Sequence, residues 1–416
     1  MLNNLVFHKF IWLVVTFFPL LPNFLGAQNA QKIMHLCIIS ILLFIFACRK
    51  IKLPSQFFFF VILATSLLFV YYSSLTLLKT SFIIASDYPD LIRQFVYLGY
   101  VLFAFAMPLR NSELQELLCF LKKLLIFQIV FSTFVYIPAL WPLVDIFKGR
   151  PSDDMALHFY RWSGTYGYPS DFSFFISFFI FYYFSFYARK IVMKKNDIFM
   201  VLLLFFALFM SFSRGGIFST FGVLGILFWF TGAKKRKTSY VLIASAGLTL
   251  IFIVLFFSDK FQQVNYIIQI FGSDSQSVDG STGHRLYELG LAAEYAGEQV
   301  PFSEGANRDE LAGRISIIES FYGYHLIKFG VLGLFFALSI KLTLLTLCVF
   351  VYKRYLNNIH ISSFVFALIG LILSEVLFFG FSSAITDRFK TLPTFYLMIG
   401  YMSSLYFRKT AANEER

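Results

Sequence analysis

An arginine-bearing turn, Ser211-Phe212-Ser213-Arg214-Gly215-Gly216, separates two long apolar runs. An arginine at such a boundary is costly unless its guanidinium reaches water, lipid headgroups or an anionic ligand. The two glycines permit a tight turn and leave backbone N–H groups open to an anion. The turn therefore predicts either an anion-binding site or an arginine that anchors the hairpin by reaching lipid phosphates.

Two further segments place polar side chains between apolar runs. Residues 161–170, which contain Gly, Pro and aromatics, predict a rigid loop against the membrane surface, where Arg161 either pairs with a phosphate or is solvated. Farther along, Arg285 is followed by Arg314 and Glu319 ahead of the next apolar run. Arg314 and Glu319 are five positions apart, so on one helix they are offset rather than stacked. Taken singly, each of these charges is typical of a solvated surface residue.

The composition requires that membrane-spanning elements position these segments. Of 416 residues, 58% are hydrophobic and 14% are charged, and Phe alone occurs 58 times. Soluble domains are roughly half apolar and a quarter charged, so no soluble fold could bury this much apolar surface. The apolar residues also form runs of about 20, the length of helix that crosses a hydrocarbon core. The sequence predicts an all-α polytopic membrane protein.

About twelve such runs occur, and the basic residues between them fall on alternate sides. The runs lie near 10–26, 33–48, 57–76, 91–107, 118–140, 170–187, 197–213, 215–232, 239–257, 325–350, 361–383 and 391–407. The net charge of +12 comes from Lys and Arg in every second connection, which the positive-inside rule places in the cytoplasm. This pattern argues against nucleic-acid binding and predicts that both termini are cytoplasmic. It requires that the first run, which imitates a secretory signal, is retained as a span.

The connections on the predicted outer side include two long ones, about 141–169 and about 258–324. Within the second, residues 284–295 have the pattern of short amphipathic helices. We therefore divide the chain into transmembrane helices 1–9 (residues 1–257), an outer loop (residues 258–324), and transmembrane helices 10–12 with a cytoplasmic tail (residues 325–416). The four cysteines include no CxxC motif and no Cys/His pair, so neither disulfides nor zinc are indicated.

Three blocks, in this order, resemble the superfamily of O-antigen polymerases and O-antigen ligases over about residues 155–335. The first is an Arg–x–x–Gly–Thr segment that ends in Pro, and the second is a Ser–Arg–Gly turn. The third starts with an arginine in the large periplasmic loop, passes a Pro…Gly segment and ends in a helix closed by Gly–x–x–Gly. The matching residues are Arg161, Gly164, Thr165 and Pro169, then Ser213, Arg214 and Gly215, then Arg285, Pro301, Gly305, Gly330 and Gly333. Ser170 departs from the asparagine that is common in the family.

The helix that follows the loop separates the two branches of this superfamily. Eleven residues before Gly330, where ligases usually carry His-Asn-x-Tyr, this chain has Glu319-Ser320-Phe321-Tyr322. His325 does not fall on the position of the ligase histidine. The segment therefore resembles the O-antigen polymerase (Wzy) branch.

The resemblance implies a metal-independent membrane glycosyltransferase that needs no cofactor. A glycan held on undecaprenyl pyrophosphate would pass to a new lipid-linked repeat unit at the periplasmic face of the bacterial inner membrane. Such chemistry needs cations for the departing diphosphate and a base for the attacking hydroxyl. The resemblance assigns catalysis to Glu319, as the base, with Arg214 and Arg285. It assigns substrate binding to Arg161, Arg214, Arg285, Arg314 and Tyr322. A chain-length regulator is an expected partner.

Two other functions stay open on the sequence. An O-antigen ligase would transfer glycan to lipid A core or to protein, and the absent His-Asn pair argues against it. A flippase or transporter for lipid-linked sugars should show internal repeats and polar residues spread through many spans. No repeat is evident here, and the polar residues gather in the outer loops.

Charges within or beside the predicted spans need a separate explanation. Lys341 in the tenth span and Glu375 in the eleventh would each be costly alone, and we favour a structural ion pair over a role for Glu375 in a reaction cavity. The carboxylates of Asp87, Asp90 and the pair Asp153-Asp154 are predicted to be solvated loop residues. The six histidines show no metal-ligand spacing.

Overall fold

The computed structural model describes the greater part of the chain, and every described element of regular structure is helical. The described residues are 4–20, 33–41, 44, 55–80, 82–84, 87–148, 160–231, 287, 289–294, 297–298, 302–303, 305–306, 320–388 and 390–407. Among them no strand occurs. In the predicted amphipathic stretch of the outer loop, residues 289–294 are helical.

The longer helices occupy the predicted apolar runs. They are α1 (Asn4–Phe17), α2 (33–41), α3 (Ser55–Thr80), α4 (Tyr88–Ala106), α5 (Asn111–Ser132), α6 (Pro169–Ala188), α7 (Lys195–Met210), α8 (Arg214–Phe230), α9 (Phe321–Arg354), α10 (Ile359–Ser374) and α11 (Thr391–Phe407). The ninth predicted run, 239–257, lies outside the described residues. The total of about twelve spans and the three-part division of the chain therefore stay predictions.

Five helical segments in the described part of the chain are long and apolar enough to cross a membrane. They are Ile62–Lys79, Asn111–Tyr136, Pro169–Ala188, Phe321–Arg354 and Ile359–Phe379. Large apolar side chains such as Leu78 and Phe230 are 79% and 81% exposed, an arrangement that suits contact with lipid. The chain is a helical, multi-pass membrane protein.

Helix α6 is the central helix of the bundle. Its residues from Asp171 to Tyr183 are all buried, as expected of a helix that is apolar on every side. It packs against α7, α8 and α10, and a Cβ atom on Gly370 of α10 would come within 2.4 Å of the Phe181 ring. The hydroxyls of Ser177 in α6 and Thr220 in α8 are hydrogen-bonded at 2.5 Å. The site described below lies where α6 begins.

The helix bundle has two ends, which we name by the segments that lie there. The turn end consists of residues 160–168, the turn at 211–213, residues 383–388 and residue 390. The opposite, terminal end is where α1 begins and α11 ends. There Asn4 Nδ2 donates to the Pro108 carbonyl at 3.4 Å, and the Phe407 ring lies 6.0 Å from that of Phe105. The described ends of the chain thus share one end of the bundle, and its cytoplasmic orientation stays a prediction.

The first glycine of the pair predicted to close the third block, Gly330, interrupts helix α9. Gly330 has φ 69° and ψ −171°, a conformation that essentially only glycine adopts. At Gly333 a Cβ atom would lie 2.2 Å from the Cβ of Phe329. The Phe329 ring stacks on Tyr72 of α3 at 3.7 Å. The break therefore separates a short segment, 321–329, from the long remainder of α9.

Candidate active site

The predicted arginine turn is present between α7 and α8. Helix α7 ends at Met210, and α8 begins at Arg214, which is partly buried. Ser213 caps α8, because its Oγ accepts a hydrogen bond from the Gly216 N–H at 3.2 Å. The positive φ of the turn, 46°, belongs to Phe212. The prediction that both glycine amides stay open to an anion is therefore wrong for Gly216.

Gly216 instead lets α6 approach α8 closely. A Cβ atom at this position would lie 2.1 Å from the Oγ of Ser173, the fifth residue of α6. The hydroxyl oxygens of Ser173 and Ser213 lie 3.2 Å apart, within hydrogen-bonding distance. The N-termini of α6 and α8 consequently lie side by side, and the partial positive charges of both helix ends add to the charge of Arg214.

Arg161 lies against the same turn. Its Nε donates to the Ser211 carbonyl at 3.3 Å and its Nη2 to the Phe212 carbonyl at 2.6 Å. The Trp162 N–H donates to the Met210 carbonyl at 3.0 Å. These bonds satisfy carbonyls at the C-terminus of α7, which its own helical pattern leaves without partners. The structure thus brings together two of the sequence-predicted site residues, Arg161 and Arg214, while phosphate binding by either stays a prediction.

The Gly-Thr part of the same motif anchors the loop in the core. Gly164 has φ 53°, and its N–H donates to the Ser132 hydroxyl at 2.8 Å. Thr165 donates from its N–H to Gln128 Oε1 at 2.6 Å and from its hydroxyl to the Thr16 carbonyl at 2.6 Å. The rigid loop predicted from the sequence is therefore held by α5 and the end of α1.

Lys148 adds a titratable group beside Arg161. Its Nζ donates to the Arg161 carbonyl at 3.0 Å, and the residue is 6% exposed. Burial, and then the nearby Arg161 charge, lower the pKa of Lys148 to about 7, whereas Asp145 acts in the opposite direction. Because protonation creates the charge on lysine, the positive charge beside Arg161 increases as the pH falls through about 7.

Arg388 is a further cation at the turn end that the sequence reasoning missed. Its Nη1 donates to the Ser170 hydroxyl at 2.7 Å and lies 3.7 Å from Asp171 Oδ1. Its guanidinium carbon is 5.8 Å from the ring centroid of Tyr168. The Arg388 side chain is 27% exposed, whereas that of Asp171 is fully buried. Arg388 thus contacts Tyr168, Ser170 and Asp171 at the N-terminus of α6 and remains partly exposed.

A chain of hydrogen bonds connects Arg388 with the arginine turn. Ser170, its partner, accepts from the Ser173 hydroxyl through its carbonyl at 2.7 Å. Ser173 in turn reaches Ser213, the residue before Arg214. Arg388 therefore stands at one side of the α6 N-terminus and Arg214 at the other.

One signal in the sequence could have pointed to Arg388. Arg388 and Lys390 lie in a short connection on the predicted outer side, where the positive-inside rule disfavours basic residues. Lys390 is buried and donates to the carbonyls of Thr16, at 2.8 Å, and Thr165. Basic residues that break the rule have a structural or functional reason, and here both side chains reach the segment 160–170.

The remaining sequence-predicted site residues are less well placed by the structure. Arg285, Arg314 and Glu319 lie outside the described residues, so their assignment stays a prediction. Tyr322 is described, and its hydroxyl donates to the Val376 carbonyl. Ser320 caps α9 by accepting from the Gly323 N–H at 2.8 Å. Glu319 therefore immediately precedes the N-cap of α9 in sequence. Tyr322 connects α9 to the π-helical turn Glu375–Phe379, which follows α10.

The expectation that Asp87 and Asp90 are solvated is wrong. Both are 1% exposed. Asp90 pairs with Lys328 of α9 and accepts from Arg93 Nη2 at 2.9 Å. Next to Asp90 is a cavity of about 30 Å³, enough for a water molecule. These residues become buried because the broken start of α9 packs over the start of α4, which local sequence does not reveal. Asp153 and Asp154 lie outside the described residues.

The favoured pairing of the two intramembrane charges is confirmed. Lys341 Nζ lies 2.7 Å from Glu375 Oε2, and it also donates to the Thr386 hydroxyl at 3.1 Å. Thr386 donates to the other carboxylate oxygen of Glu375. Glu375 begins a π-helical turn, Glu375–Phe379, that continues α10. Because each buried charge has an opposite charge and a hydroxyl beside it, the pair is tolerated at this depth.

A comparison with protein families finds a match over the part of the chain that contains the arginine turn. A family described as O-antigen ligase matches residues 199–338, a third of the chain. The match begins in α7, contains Arg214, Glu319 and Tyr322, and ends beyond the break in α9. It supports the superfamily of O-antigen ligases and polymerases, a group of membrane enzymes that act on lipid-linked glycans. No curated protein matches the chain.

Proposed function

We propose that this protein is a surface-glycan polymerase of the O-antigen polymerase type. It transfers a growing glycan from undecaprenyl pyrophosphate to a new lipid-linked repeat unit at the periplasmic face of the inner membrane. The observation that carries the proposal is the family match over residues 199–338, which contains Arg214 and the turn that Arg161 contacts. The polymerase branch is favoured over the ligase branch by Glu319-Ser320-Phe321-Tyr322, where ligases usually carry His-Asn.

The reaction is a displacement at the anomeric carbon of the donor glycan. The acceptor hydroxyl oxygen forms the new glycosidic bond as the bond between the anomeric carbon and the diphosphate oxygen breaks. The proton of the hydroxyl passes to Glu319, and undecaprenyl pyrophosphate leaves with the electron pair. Negative charge increases on the departing diphosphate, so fixed guanidinium groups stabilise the transition state more than the ground state.

Arginine suits the diphosphate better than lysine does in this arrangement. Its planar fork makes two parallel hydrogen bonds to phosphate oxygens and keeps its charge at any ordinary pH. Arg214 is the proposed main contact, with Arg285 from the large loop. Arg161 orients the turn through the Ser211 and Phe212 carbonyls. Arg388 is a proposed additional contact from the connection before α11.

Replacement of Arg388 by alanine should raise the KM for the lipid-linked donor. A lost hydrogen bond to a charged group costs about 1.5–3 kcal/mol, or roughly a 10- to 100-fold loss of affinity. The matched control is Arg354→Ala, because Arg354 donates to the Tyr406 carbonyl at 2.8 Å at the terminal end. Steady-state transfer by purified protein should show a raised KM for Arg388→Ala and wild-type kinetics for Arg354→Ala. An unchanged KM with lowered thermal stability would assign Arg388 to structure alone.

The surface glycan of a deletion strain tests the function as a whole. Loss of a polymerase leaves lipid A core capped by a single repeat unit, because export and ligation continue. Loss of a ligase leaves core without glycan, and loss of a flippase leaves no exported glycan. We expect single-repeat caps, and restoration of the ladder by a plasmid copy of the gene. The ligase is the second candidate, because the matching family is described as O-antigen ligase; core without glycan would establish it instead.

A further inference from the structure

A groove opens at the terminal end of the bundle, away from the arginine turn. It has a volume of about 460 Å³ and lies between α5, α6, the start of α7 and the start of α10. Ligand sites in proteins usually enclose roughly 300–1,000 Å³. Its floor is aromatic and comes from α6: Phe179, Tyr182, Tyr183 and Phe186. These four side chains span two turns of helix, a depth of about 10 Å.

Basic side chains lie at the rim of this groove. Lys122 of α5 has its Nζ 3.6 Å from Asp197 Oδ1 and 5.3 Å from the Tyr183 ring centroid. Lys194, just before α7, is exposed and also lines the groove. The Tyr182 hydroxyl and His360 Nδ1 are hydrogen-bonded at 2.8 Å. With two lysines and one aspartate the rim carries a net positive charge, so it favours an anionic group.

The mouth of the groove adjoins surface that suits lipid chains. Val192 is 92% exposed, Ile198 49% and Phe199 67%. In a membrane protein such apolar side chains face acyl chains. The groove thus joins an apolar surface to a basic rim, as a site for an amphipathic anion requires.

We propose that this groove binds one anionic phospholipid. The phosphate lies between Lys122 and Lys194, and an acyl chain lies along the aromatic floor. Basic pockets between transmembrane helices are suited to anionic headgroups, and the aromatic floor supplies the apolar half of the site. Neither feature involves the arginine turn, so the inference is independent of the proposed glycan transfer.

Lipid binding by purified, delipidated full-length protein tests the proposal. Native mass spectrometry should show one retained phosphatidylglycerol and no retained phosphatidylcholine. Each basic residue near an anionic lipid contributes about 1 kcal/mol, so Lys122→Ala with Lys194→Ala should weaken phosphatidylglycerol binding about thirtyfold. Lys353→Ala is the matched control, because Lys353 is an exposed lysine near the end of α9 that does not line the groove. Equal retention of both lipids, or an equal loss in the control, would overturn the proposal.

A second variant separates charge from folding. Asp197→Asn breaks the Lys122–Asp197 pair and keeps both lysines, so phosphatidylglycerol binding should stay the same or become tighter. Weaker binding in this variant would show that the pair, rather than the lysines, matters. Inorganic phosphate that competes as well as the lipid headgroup would identify a soluble-anion site instead.

Cysteine labelling of the unaltered chain gives a further check. Cys119 is exposed and lines the groove, whereas Cys37 is exposed elsewhere. Phosphatidylglycerol added to the delipidated protein should slow maleimide labelling of Cys119 severalfold and leave the rate at Cys37 unchanged. Labelling of Cys119 at an unchanged rate would place the lipid outside the groove.

Discussion

Glu319→Gln should slow glycan transfer by about 10²–10⁴-fold, the usual contribution of a general base. Glutamine keeps the size and most of the hydrogen bonding of glutamate but cannot accept the hydroxyl proton. The protein should therefore insert, fold and bind the lipid-linked donor while its surface ladder ends at single repeats. The measurement is elongation of lipid-linked repeat units by the purified variant, with donor binding recorded separately. Near-normal elongation would remove Glu319 from the mechanism.

Two further variants test whether the effect is specific to the Glu319 carboxylate. Glu319→Asp should recover little activity, because a carboxylate moved by about a bond length no longer reaches the hydroxyl in a reaction sensitive to ångström-scale displacement. Glu116→Gln is the matched control, since Glu116 pairs with Lys9 at 2.6 Å on the surface of the terminal end. If Glu319 only pairs with an arginine to hold the loop, Glu319→Gln should lose thermal stability in proportion to activity.

Arg214→Ala should abolish polymer at a normal level of protein. Arg214 begins α8 beside the N-terminus of α6, where Arg161 reaches the carbonyls of the same turn. Loss of its guanidinium removes charge-assisted hydrogen bonds worth about 1.5–3 kcal/mol each to the diphosphate. Arg214→Lys should restore only part of the ladder, because lysine keeps the charge without the bidentate fork.

If Arg214 is instead an anchor at the lipid interface, its substitutions should have different effects. An anchor needs a positive charge and a long chain, so lysine would serve as well as arginine. Ladder length in cells and donor KM in vitro distinguish the two. A wild-type ladder in Arg214→Ala, or full activity in Arg214→Lys, would favour the anchor.

The positions of the described helices were predictable because, in a lipid environment, helix formation depends on the apolar segment itself and not on distant parts of the chain. A segment in hydrocarbon must satisfy its backbone hydrogen bonds internally, so each long apolar run becomes a helix whatever its neighbours do. A turn near Arg214 was likewise predictable from its two glycines, although the positive φ belongs to Phe212; the break at Gly330, inside the predicted span 325–350, was not predicted. The pairing of Lys341 with Glu375 followed from the cost of isolated charge in a membrane.

The burial of polar groups at the turn end was not predictable in the same way. Asp90 lies between apolar runs and was expected to be solvated, but Lys328, 238 positions away, closes over it. Arg388 meets Ser170 across 218 positions. The spacing of nearby residues predicts neither contact, since each depends on how whole helices are arranged around α6.

The sequence by itself determined that this chain is helical and membrane-spanning, and that its arginine turn resembles that of O-antigen polymerases and ligases. Hydropathy and a short motif suffice for that, because both act through residues that are close in the chain. Only the tertiary structure decided that Arg161 donates to the carbonyls after α7, that Gly216 lets Ser173 pack closely against α8, and that Arg388 binds Ser170 at the N-terminus of α6. Those outcomes depend on which helix ends meet, and the packing of α6 against its neighbours sets that arrangement.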